Sequence, residues 1–309
     1  MKKIAILGST GHIAKNLIYG LSATEKYELV LFARNISSLR LFIDGTELLK
    51  QNTNIVLKSF NDFKDQEYDV IINCIGVGDP AKLKKIGGAI FTLTEEFDNL
   101  VMSYLENNTK ALYINFSSGI AYGSNFNTPA DENKTAIINI NNIAPTDYYS
   151  ISKINTEAKH RAYSNYNIVD LRVFGFFSKF IDLKTPYFLS DIVNCIKEQR
   201  VFVTGRNDMV RDYIHPDDLL QLIERCINMH NINDVFDVYS LEPITKFQII
   251  SYFEKNHNLQ VLVEQDKILT SVTGLKSNYY SLNKKSDIIG YRPRYRSIDA
   301  IVSQLEDLF

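Results

Sequence analysis

The first 23 residues join a short apolar run, a glycine-rich turn and a helix-like stretch. The apolar run ends at Leu7, and Gly8 and Gly11 follow at a spacing of three. Such a turn lets the backbone approach phosphate oxygens, and the helix behind it offers unpaired N–H groups and the positive end of its dipole. The feature predicts a βαβ unit that binds the pyrophosphate of a dinucleotide through five residues: Gly8, Thr10, Gly11, His12 and Ile13.

Length and composition restrict the class of protein. The chain has 309 residues, 45% of them hydrophobic and 23% charged, as in ordinary globular proteins with one large or two modest domains. A net charge of −2 predicts no surface for nucleic acid or an anionic membrane. No apolar run approaches the roughly 20 residues of a membrane span, and the run before Gly8 is too short for a signal peptide. We therefore expect a cytoplasmic protein.

Cysteine and histidine give no sign of metal or disulfide chemistry. Cys74, Cys195 and Cys226 are odd in number and far apart, which indicates reduced thiols. The five histidines form no close pair of the kind that ligates a metal. The sequence predicts neither a disulfide framework nor a metal site.

The first half of the chain alternates strand-like and helix-like stretches, which predicts an α/β fold with a doubly wound parallel (Rossmann) sheet. Most strand candidates are continuous apolar runs, as expected for strands covered on both faces. The predicted strands are residues 3–7, 28–32, 54–57, 69–75, 111–115 and 168–173, and the clearest helices are 12–23, 91–105 and 148–163. Ligands of such sheets bind beyond the carboxyl ends of the strands.

After about residue 174 the pattern changes to shorter helices and isolated strands. Helical stretches are predicted at 187–198, 216–228 and 246–255. We therefore expect a dinucleotide-binding domain over 1–174 and a smaller α+β substrate-binding lobe over 175–309. Residues 205–230 are expected to return to the first domain.

Arg34 stands just after the second predicted strand, where a fold that binds NAD usually carries an acid. A guanidinium binds a 2′-phosphate through two parallel charge-assisted hydrogen bonds, whereas a carboxylate repels it. Arg34 thus favours NADP(H), with NAD(H) as the alternative, although a solvated surface arginine would look the same. Three further cofactor candidates follow the third and fourth strands: Asp62, Cys74 and Gly76.

Tyr149 and Lys153 lie four residues apart in a predicted helix and project from one face. A phenol that gives a proton to a carbonyl oxygen needs its pKa lowered from about 10, and a nearby ammonium supplies that shift. Tyr280 and Lys284 share the spacing, so the argument depends on position. Tyr149 comes 31 residues after Ser118, whose hydroxyl follows the fifth strand and would bind the same substrate oxygen.

The chain resembles the extended short-chain dehydrogenase/reductase family, in particular its sugar-nucleotide epimerases, dehydratases and reductases. The matching segments come in the family's order: 8–14, 116–123, 149–153, 171–172, 211–219 and 290–293. The resemblance implies that Tyr149 is the catalytic acid/base and Ser118 the catalytic hydroxyl. It also implies that Lys153 lowers the pKa of Tyr149 and binds the cofactor ribose.

The same resemblance implies the class of substrate with one residue that binds it, and a dimer with the two helices that form its contact. The substrate would be a nucleotide-linked sugar whose diphosphate Arg211 binds; an ion pair with Asp212 or Asp217 is the other interpretation of that arginine. Helices 91–105 and 148–163 resemble the family's dimer contact, so a homodimer is expected.

Departures from the family pattern restrict which of the family's reactions is expected. Dehydratases carry Asp-Glu directly after the catalytic hydroxyl residue, and Gly119 and Ile120 stand there in this chain and cannot do acid/base work. Epimerases usually carry asparagine where this chain has Gly175, and the next residue, Phe176, replaces a tyrosine. Gly175 and Phe176 are therefore candidates for altered substrate contacts, and a dehydratase is not expected.

Three functions remain. The leading hypothesis is reduction of a keto-sugar nucleotide with NADPH, in which Tyr149 protonates the developing alkoxide and Ser118 fixes its oxygen. An epimerase that holds NAD tightly would use the same residues. A non-catalytic, cofactor-binding regulatory protein is the third hypothesis, and the complete Ser118, Tyr149 and Lys153 set argues against it.

Overall fold

The computed structural model describes residues 1–264 and 276–309. Within these ranges seven strands form one parallel sheet in the order β3-β2-β1-β4-β5-β6-β9. The strands are β1 (Lys2–Leu7), β2 (Tyr27–Phe32), β3 (Ile55–Lys58), β4 (Val70–Asn73), β5 (Leu112–Ser118), β6 (Asn167–Val173), β7 (Phe202–Gly205), β8 (Val210–Arg211), β9 (Asn233–Val238), β10 (Ile244–Thr245), β11 (Val261–Glu264) and β12 (Asn278–Tyr279).

Helices cover both faces of this sheet. They are α1 (His12–Ser22), α2 (Ile36–Asp44), α3 (Glu47–Lys50), α4 (Pro80–Ile86), α5 (Ala89–Leu105), α6 (Tyr148–Ala162), α7 (Phe188–Lys197), α8 (Pro216–Ile227), α9 (Lys246–His257) and α10 (Ser297–Val302), with 3-10 turns at Phe60–Asp65, Gly119–Tyr122, Ile140–Asn142 and Lys285–Ile289. No described helix is long and apolar enough to cross a membrane.

Strand β1 explains why the predicted strands are continuous apolar runs. Ile4 and Ile6 belong to one buried cluster with residues of α1, and Ala5 and Leu7 belong to a second cluster with residues of α5. Successive side chains of a strand point to opposite faces of the sheet. When helices cover both faces, the side chains at every position of the strand must therefore be apolar. The predicted doubly wound parallel sheet is confirmed.

The chain order of the strands reverses between β1 and β4, which creates the crevice that ligands of such sheets use. The ends of the two strands meet there: the Cys74 N–H donates to the Leu7 carbonyl at 3.0 Å. The glycine turn after β1 and the turn after β4 therefore form the two walls of one crevice.

The second half of the chain contributes to both parts of the molecule. Helix α8 packs against α1, and β9 pairs with β6 as the seventh strand of the sheet. Sequence analysis missed β9 because its Asn233, Asp234 and Asp237 interrupt the apolar pattern. Helices α7, α9 and α10 share a separate buried cluster with β7. The division of the chain at residue 174 remains a prediction.

A polar chain runs through the core beneath the crevice. Asn73 holds the turn after β4 by accepting from the Ile75 N–H, and its amide donates to the Tyr113 hydroxyl. Tyr113 in turn donates to Asp98, and His160 lies between Asp98 and Asp170, with its two ring nitrogens 2.7 Å and 2.9 Å from their carboxylates. An imidazole with a carboxylate at each nitrogen is stabilised in its doubly protonated form.

Two histidines, the buried His160 and the partly buried His12, are therefore expected to have pKa values shifted in opposite directions. Burial alone would lower the pKa of His160, but Asp170 and Asp98 raise it to about 9. Burial and Lys15 lower the pKa of His12 to about 4. Imidazole NMR should show His160 protonated up to about pH 8 and His12 neutral down to about pH 5.

The same shifts set the pH dependence of folding. Since the pKa of His160 is raised, its stabilising contribution is complete below its unfolded value of 6.5 and is lost as the pH rises through about 9. His12 has the opposite sign, and its contribution is lost as the pH falls through about 4. A His160 resonance that titrates near 6.5 would contradict the charged Asp98–His160–Asp170 arrangement.

Candidate active site

The turn after β1 is shaped for a close approach by a large ligand. Gly8 has φ +74°, and a Cβ there would lie 2.9 Å from the Ile75 side chain. The Gly11 N–H donates to the Gly8 carbonyl at 2.8 Å, and Gly11 caps α1 without a side-chain hydrogen bond. With no acid in the first turn of α1, its N-terminal N–H groups and positive dipole end are available to an anion. Thr10 is exposed beside them.

His12 links this turn to the segment after β6. Ser178 Oγ accepts from the Asn16 amide at 2.7 Å and from the Phe180 N–H at 3.2 Å. Its own proton is then free to donate to His12 Nε2, 2.8 Å away, which places the proton of the neutral imidazole on Nδ1. The ring of Phe176 packs against the imidazole with centroids 5.0 Å apart. Phe176 thus contacts the predicted cofactor turn.

Arg34 and Asp62 differ in how free they are to bind a ligand. Arg34 is exposed after β2, directly before Asn35, whose side chain caps α2 by accepting from the Ser38 N–H at 2.9 Å. Asp62 is occupied in a capping box, where its carboxylate accepts from the Ser59 hydroxyl and N–H at 2.9 and 3.2 Å. The structure thus gives Asp62 a local structural role beside its predicted one.

The turn after β4 brings Cys74 and Gly76 to the crevice. The Cys74 side chain is partly exposed and packs against the core, and burial raises its thiol pKa, so it acts as a small apolar wall residue. A Cβ on Gly76 would lie 4.0 Å from Lys153 Nζ. Gly76 therefore brings bare backbone next to the buried Lys153 ammonium.

Tyr149 and Lys153 share one face of α6, as predicted, with Lys153 Nζ 5.9 Å from the Tyr149 ring centroid. Lys153 Nζ donates to the Phe116 carbonyl at 2.9 Å, which fixes the ammonium beneath the crevice. Burial lowers the pKa of Lys153, while Asp170, Glu157 and Asp98 act in the opposite direction and favour its charged form.

The Tyr149 pKa does not show the expected lowering. Burial raises it, and the neighbouring Ser118 hydroxyl only partly offsets that rise. The Lys153 ammonium donates to the Phe116 carbonyl and does not offset the effect of burial on the pKa of the phenol. In this structure the phenol is therefore a proton donor held in its neutral form.

Ser118 has a second phenol beside it that the sequence did not indicate. The Tyr279 hydroxyl lies 3.0 Å from Ser118 Oγ, and Tyr149 is close enough to raise the pKa of Tyr279. Tyr279 is 9% exposed and packs against Phe126 and Phe174. It lies 161 residues from Ser118 along the chain, so no local pattern could have identified the contact.

The structure explains why no acid follows Ser118. A Cβ at Gly119 would lie 2.3 Å from the Phe174 ring, which is itself held by Tyr122, Phe126 and Tyr279. An acidic side chain therefore has no room at position 119 in this packing. The packing of Phe174 therefore gives a steric reason for glycine at position 119.

Gly119→Ala should reduce the free energy of unfolding by about 1–3 kcal/mol, because overpacking a tightly filled region forces side chains off their preferred rotamers. Urea unfolding measures the change. Gly88→Ala is the matched control, since no atom lies within 4 Å of a Cβ at that position, and a change within about 0.5 kcal/mol is expected. Equal stability of the two variants would show that Phe174 yields easily.

Arg211 and Gly175 belong to two segments of the chain that pack closely against each other. A Cβ at Gly175 would lie 2.5 Å from the Asp212 carbonyl, so only glycine fits there. Arg211 Nη1 donates to the Lys276 and Val210 carbonyls at 2.7 and 2.8 Å. Asp212 instead accepts from Ser240 and Ser297. The alternative in which Arg211 pairs with Asp212 is therefore wrong, and Asp217 lies near Arg294 instead, with 3.9 Å between Arg294 Nη2 and the carboxylate.

The residues around the crevice fit a dinucleotide. The glycine turn provides the close approach, α1 provides the anion-binding end, and Gly76 brings bare backbone beside the buried Lys153 ammonium. Within the described residues no group of three His, Cys, Asp or Glu side chains is placed to hold a metal ion. A parallel sheet with this turn and a Ser118, Tyr149 and Lys153 set defines the class of dinucleotide-dependent oxidoreductases.

Comparison with known proteins identifies the family. The model of the NAD dependent epimerase/dehydratase family matches residues 4–241, and the chain therefore belongs to that family. The resemblance to extended short-chain dehydrogenase/reductase enzymes is thus confirmed, and with it the NAD dependence that the description of the family states. A dTDP-4-dehydro-6-deoxyglucose reductase of Escherichia coli is 27% identical over 193 residues. The match covers 60% of this chain and 59% of that protein, which is less than two thirds of its length.

Solved structures show the same fold. UDP-glucuronic acid 4-epimerase from Bacillus cereus, in complex with UDP-glucuronic acid and NAD, has a TM-score of 0.81 at 17% identity, with 99% of this chain and 98% of that chain covered. dTDP-glucose 4,6-dehydratase from Bacillus anthracis, in complex with NAD, has a TM-score of 0.77 at 15% identity, with 99% and 96% covered. At these identities the likeness concerns the fold.

Proposed function

We propose that this protein is a reductase that transfers a hydride from NADPH to the ketone of a nucleotide-linked sugar. The observation that carries the proposal is the convergence of Ser118, Tyr149 and Lys153 beside the glycine turn, with no acid at position 119. The partial match to a keto-sugar nucleotide reductase supports reduction over epimerisation.

When bound, the nicotinamide cofactor supplies the hydride. Ser118 donates a hydrogen bond from its hydroxyl to the ketone oxygen and so fixes the carbonyl, while keeping its own proton. Tyr149, neutral because burial raises its pKa, gives its proton to the alkoxide oxygen as negative charge develops there. Lys153, buried and held by the Phe116 carbonyl, provides positive charge near the phenolate that remains and binds the cofactor ribose.

The cofactor assignment depends on the carboxyl end of β2. Arg34 is exposed there and forms no hydrogen bond or ion pair with the described residues. The next residue, Asn35, caps a helix. Neither residue is an acid that would repel a 2′-phosphate. His12 Nδ1–H, Thr10 and the N–H groups of α1 would serve the pyrophosphate.

We further propose a cytoplasmic homodimer in which α5 and α6 of two copies pack together. In one copy the two helices already lie side by side, with Asn155 donating to Glu95 at 3.1 Å and Lys159 to Asn99 at 2.8 Å. Sedimentation analysis tests the dimer, and a monomer at micromolar concentration would reject it.

The experiment that tests the proposed reductase examines the cofactor first. Protein purified without added cofactor is denatured, and any released nucleotide is identified by mass spectrometry. The proposal expects an empty protein that then binds NADPH and reduces a panel of keto-sugar nucleotides. Tightly held NAD with no NADPH-dependent turnover would instead identify the epimerase, which regenerates its cofactor in every cycle. Binding without any turnover would support a regulatory protein.

A further inference from the structure

Lys153 is a buried cation whose charge is supported by carboxylates that it does not touch. Its side chain is only 3% exposed, and its Nζ donates to the Phe116 carbonyl at 2.9 Å. Burial lowers the pKa of Lys153, and Asp170 opposes that effect more strongly than any other carboxylate. No direct ion pair joins Lys153 to Asp170 in the part of the chain that the structure describes. A buried ammonium and a buried carboxylate attract each other strongly, so other groups must keep these two apart.

The Asp170 carboxylate is occupied by three other donors. One oxygen accepts from the Asn115 amide at 2.7 Å, and the other accepts from Arg161 Nη2 at 2.8 Å. His160 Nδ1 lies between the two oxygens, 2.9 and 3.0 Å away. Asp170 and His160 are completely buried, so water does not compete for these bonds. Because both oxygens are already bonded, Asp170 favours the charge of Lys153 from a distance without drawing the ammonium out of place.

His160 is the donor of this set whose charge changes most readily, since the other two are a neutral amide and a guanidinium. Its Nε2 lies 2.7 Å from Asp98, and its ring packs edge-on against Tyr113 with centroids 5.3 Å apart. Burial alone would lower the pKa of His160, but Asp170 and Asp98 raise it to about 9. A neutral imidazole carries a single N–H, so one of the two carboxylates then loses its donor.

The other groups that face the imidazole from the elements packed around it hold it in place or are neutral. Lys159 and Arg161, its neighbours on α6, form ion pairs with the same two carboxylates. Burial raises the pKa of Tyr113 well above its usual value, so this phenol stays neutral. Strand β9 contributes Asn233, whose amide donates to the His160 carbonyl at 3.0 Å and not to its ring. The proton of the imidazole therefore decides whether both carboxylates keep their full set of donors.

We propose that His160 is a positioning residue for catalysis, which occupies Asp170 and so keeps the Lys153 ammonium in place. With the ring doubly protonated, the ammonium stays on the Phe116 carbonyl and on the helix face of Tyr149. When the ring loses a proton, the two carboxylates share one cation fewer, and the flexible lysine side chain moves toward Asp170. The phenolate that forms at Tyr149 then loses its nearby positive charge. The inference rests on the proposed function, since it assumes that Lys153 supports Tyr149 and binds the cofactor ribose.

Three pH profiles of the wild-type protein test the inference. NMR follows the His160 ring, steady-state kinetics follows NADPH-dependent turnover of dTDP-4-dehydro-6-deoxyglucose, and fluorescence titration follows NADPH affinity, with circular dichroism to show that the protein stays folded. The turnover number should fall by about 10- to 100-fold as the pH rises through about 9, the pKa of His160, because a small displacement of a catalytic group costs that much. The affinity for NADPH should weaken over the same range. The KM for the sugar nucleotide should change little, because Lys153 acts on the transition state.

Asp98→Asn separates positioning from a merely structural role. Asparagine keeps the size of the side chain but removes one of the two carboxylates at the ring, so the pKa of His160 should fall. The decline in turnover should move to lower pH by the same amount. Lys159→Gln is the matched control, since it removes the other ion-pair partner of Asp98 and leaves both carboxylates at the ring. Its decline should lie at the wild-type pH or above it.

The outcomes distinguish the inference from the proposed function. Turnover that stays constant while His160 titrates, or that declines at an unchanged pH in Asp98→Asn although the pKa of His160 has fallen, overturns the inference and leaves the proposed function standing. The wild-type profiles need no variant, so they decide the question even if Asp98→Asn does not fold. NADPH binding without turnover of any keto-sugar nucleotide rejects the proposed reductase, and the pH profile of NADPH affinity then still tests the position of Lys153.

Discussion

Tyr149→Phe should lower the turnover number by about 10²–10⁴-fold, because general acid catalysis contributes an effect of that size and phenylalanine has no proton to give. The ring packs in the same place, so the affinity for NADPH should change little. Steady-state kinetics with a keto-sugar nucleotide, together with fluorescence titration of NADPH, measures both quantities.

Tyr148→Phe is the matched control for this variant. Tyr148 is the preceding residue of α6, and its ring lies against Phe91 with centroids 5.8 Å apart. Its hydroxyl has no place in the proposed chemistry, so turnover should stay within about twofold of the wild type. Unchanged turnover of Tyr149→Phe would remove Tyr149 from its role as acid, and an equal loss of NADPH affinity would show that the substitution disturbs the crevice instead.

Arg34→Asp should weaken NADPH binding by about 10- to 150-fold and change NADH binding far less. Charge-assisted hydrogen bonds contribute about 1.5–3 kcal/mol, and every 1.4 kcal/mol is tenfold in affinity. The introduced carboxylate would in addition repel the 2′-phosphate and resemble the acid of NAD-binding folds. Direct titration of both cofactors into the same preparation measures the change in preference.

Arg40→Ala controls for the general loss of a positive charge near this end of the sheet, because Arg40 is an exposed arginine of α2. It should weaken NADPH by less than about threefold, since an exposed charge at a distance is largely screened. Equal weakening of NADPH and NADH by Arg34→Asp would reject the cofactor assignment and favour a surface role for Arg34.

The parts of the fold and site that depend on local sequence were predictable. The glycine turn needs Gly8 at positive φ and Gly11 at a helix start, and both requirements are visible within seven residues. Tyr149 and Lys153 share a face because helical geometry fixes the spacing. The apolar strands follow from a sheet that is buried on both faces.

The sequence pattern could not predict contacts between segments that are distant along the chain. Tyr279 lies beside Ser118 because it belongs to β12, which pairs with β8. Each of these strands has only two residues, too few for a periodic pattern to indicate them. Strand β9 was missed because an edge strand tolerates polar residues that a central strand excludes. The capping role of Asp62 was equally hidden, since the sequence pattern indicated this residue only as a cofactor candidate after the third strand.

Transfer of deuterium is the measurement that tests the central claim most directly. NADPH deuterated at the transferred position of its nicotinamide would be incubated with the protein and a keto-sugar nucleotide, and the sugar product analysed by mass spectrometry and NMR. The account predicts one deuterium on the carbon that carried the ketone, with stoichiometric oxidation of NADPH and loss of the transfer in Tyr149→Phe. A sugar nucleotide that is epimerised without net NADPH oxidation and without deuterium would contradict it.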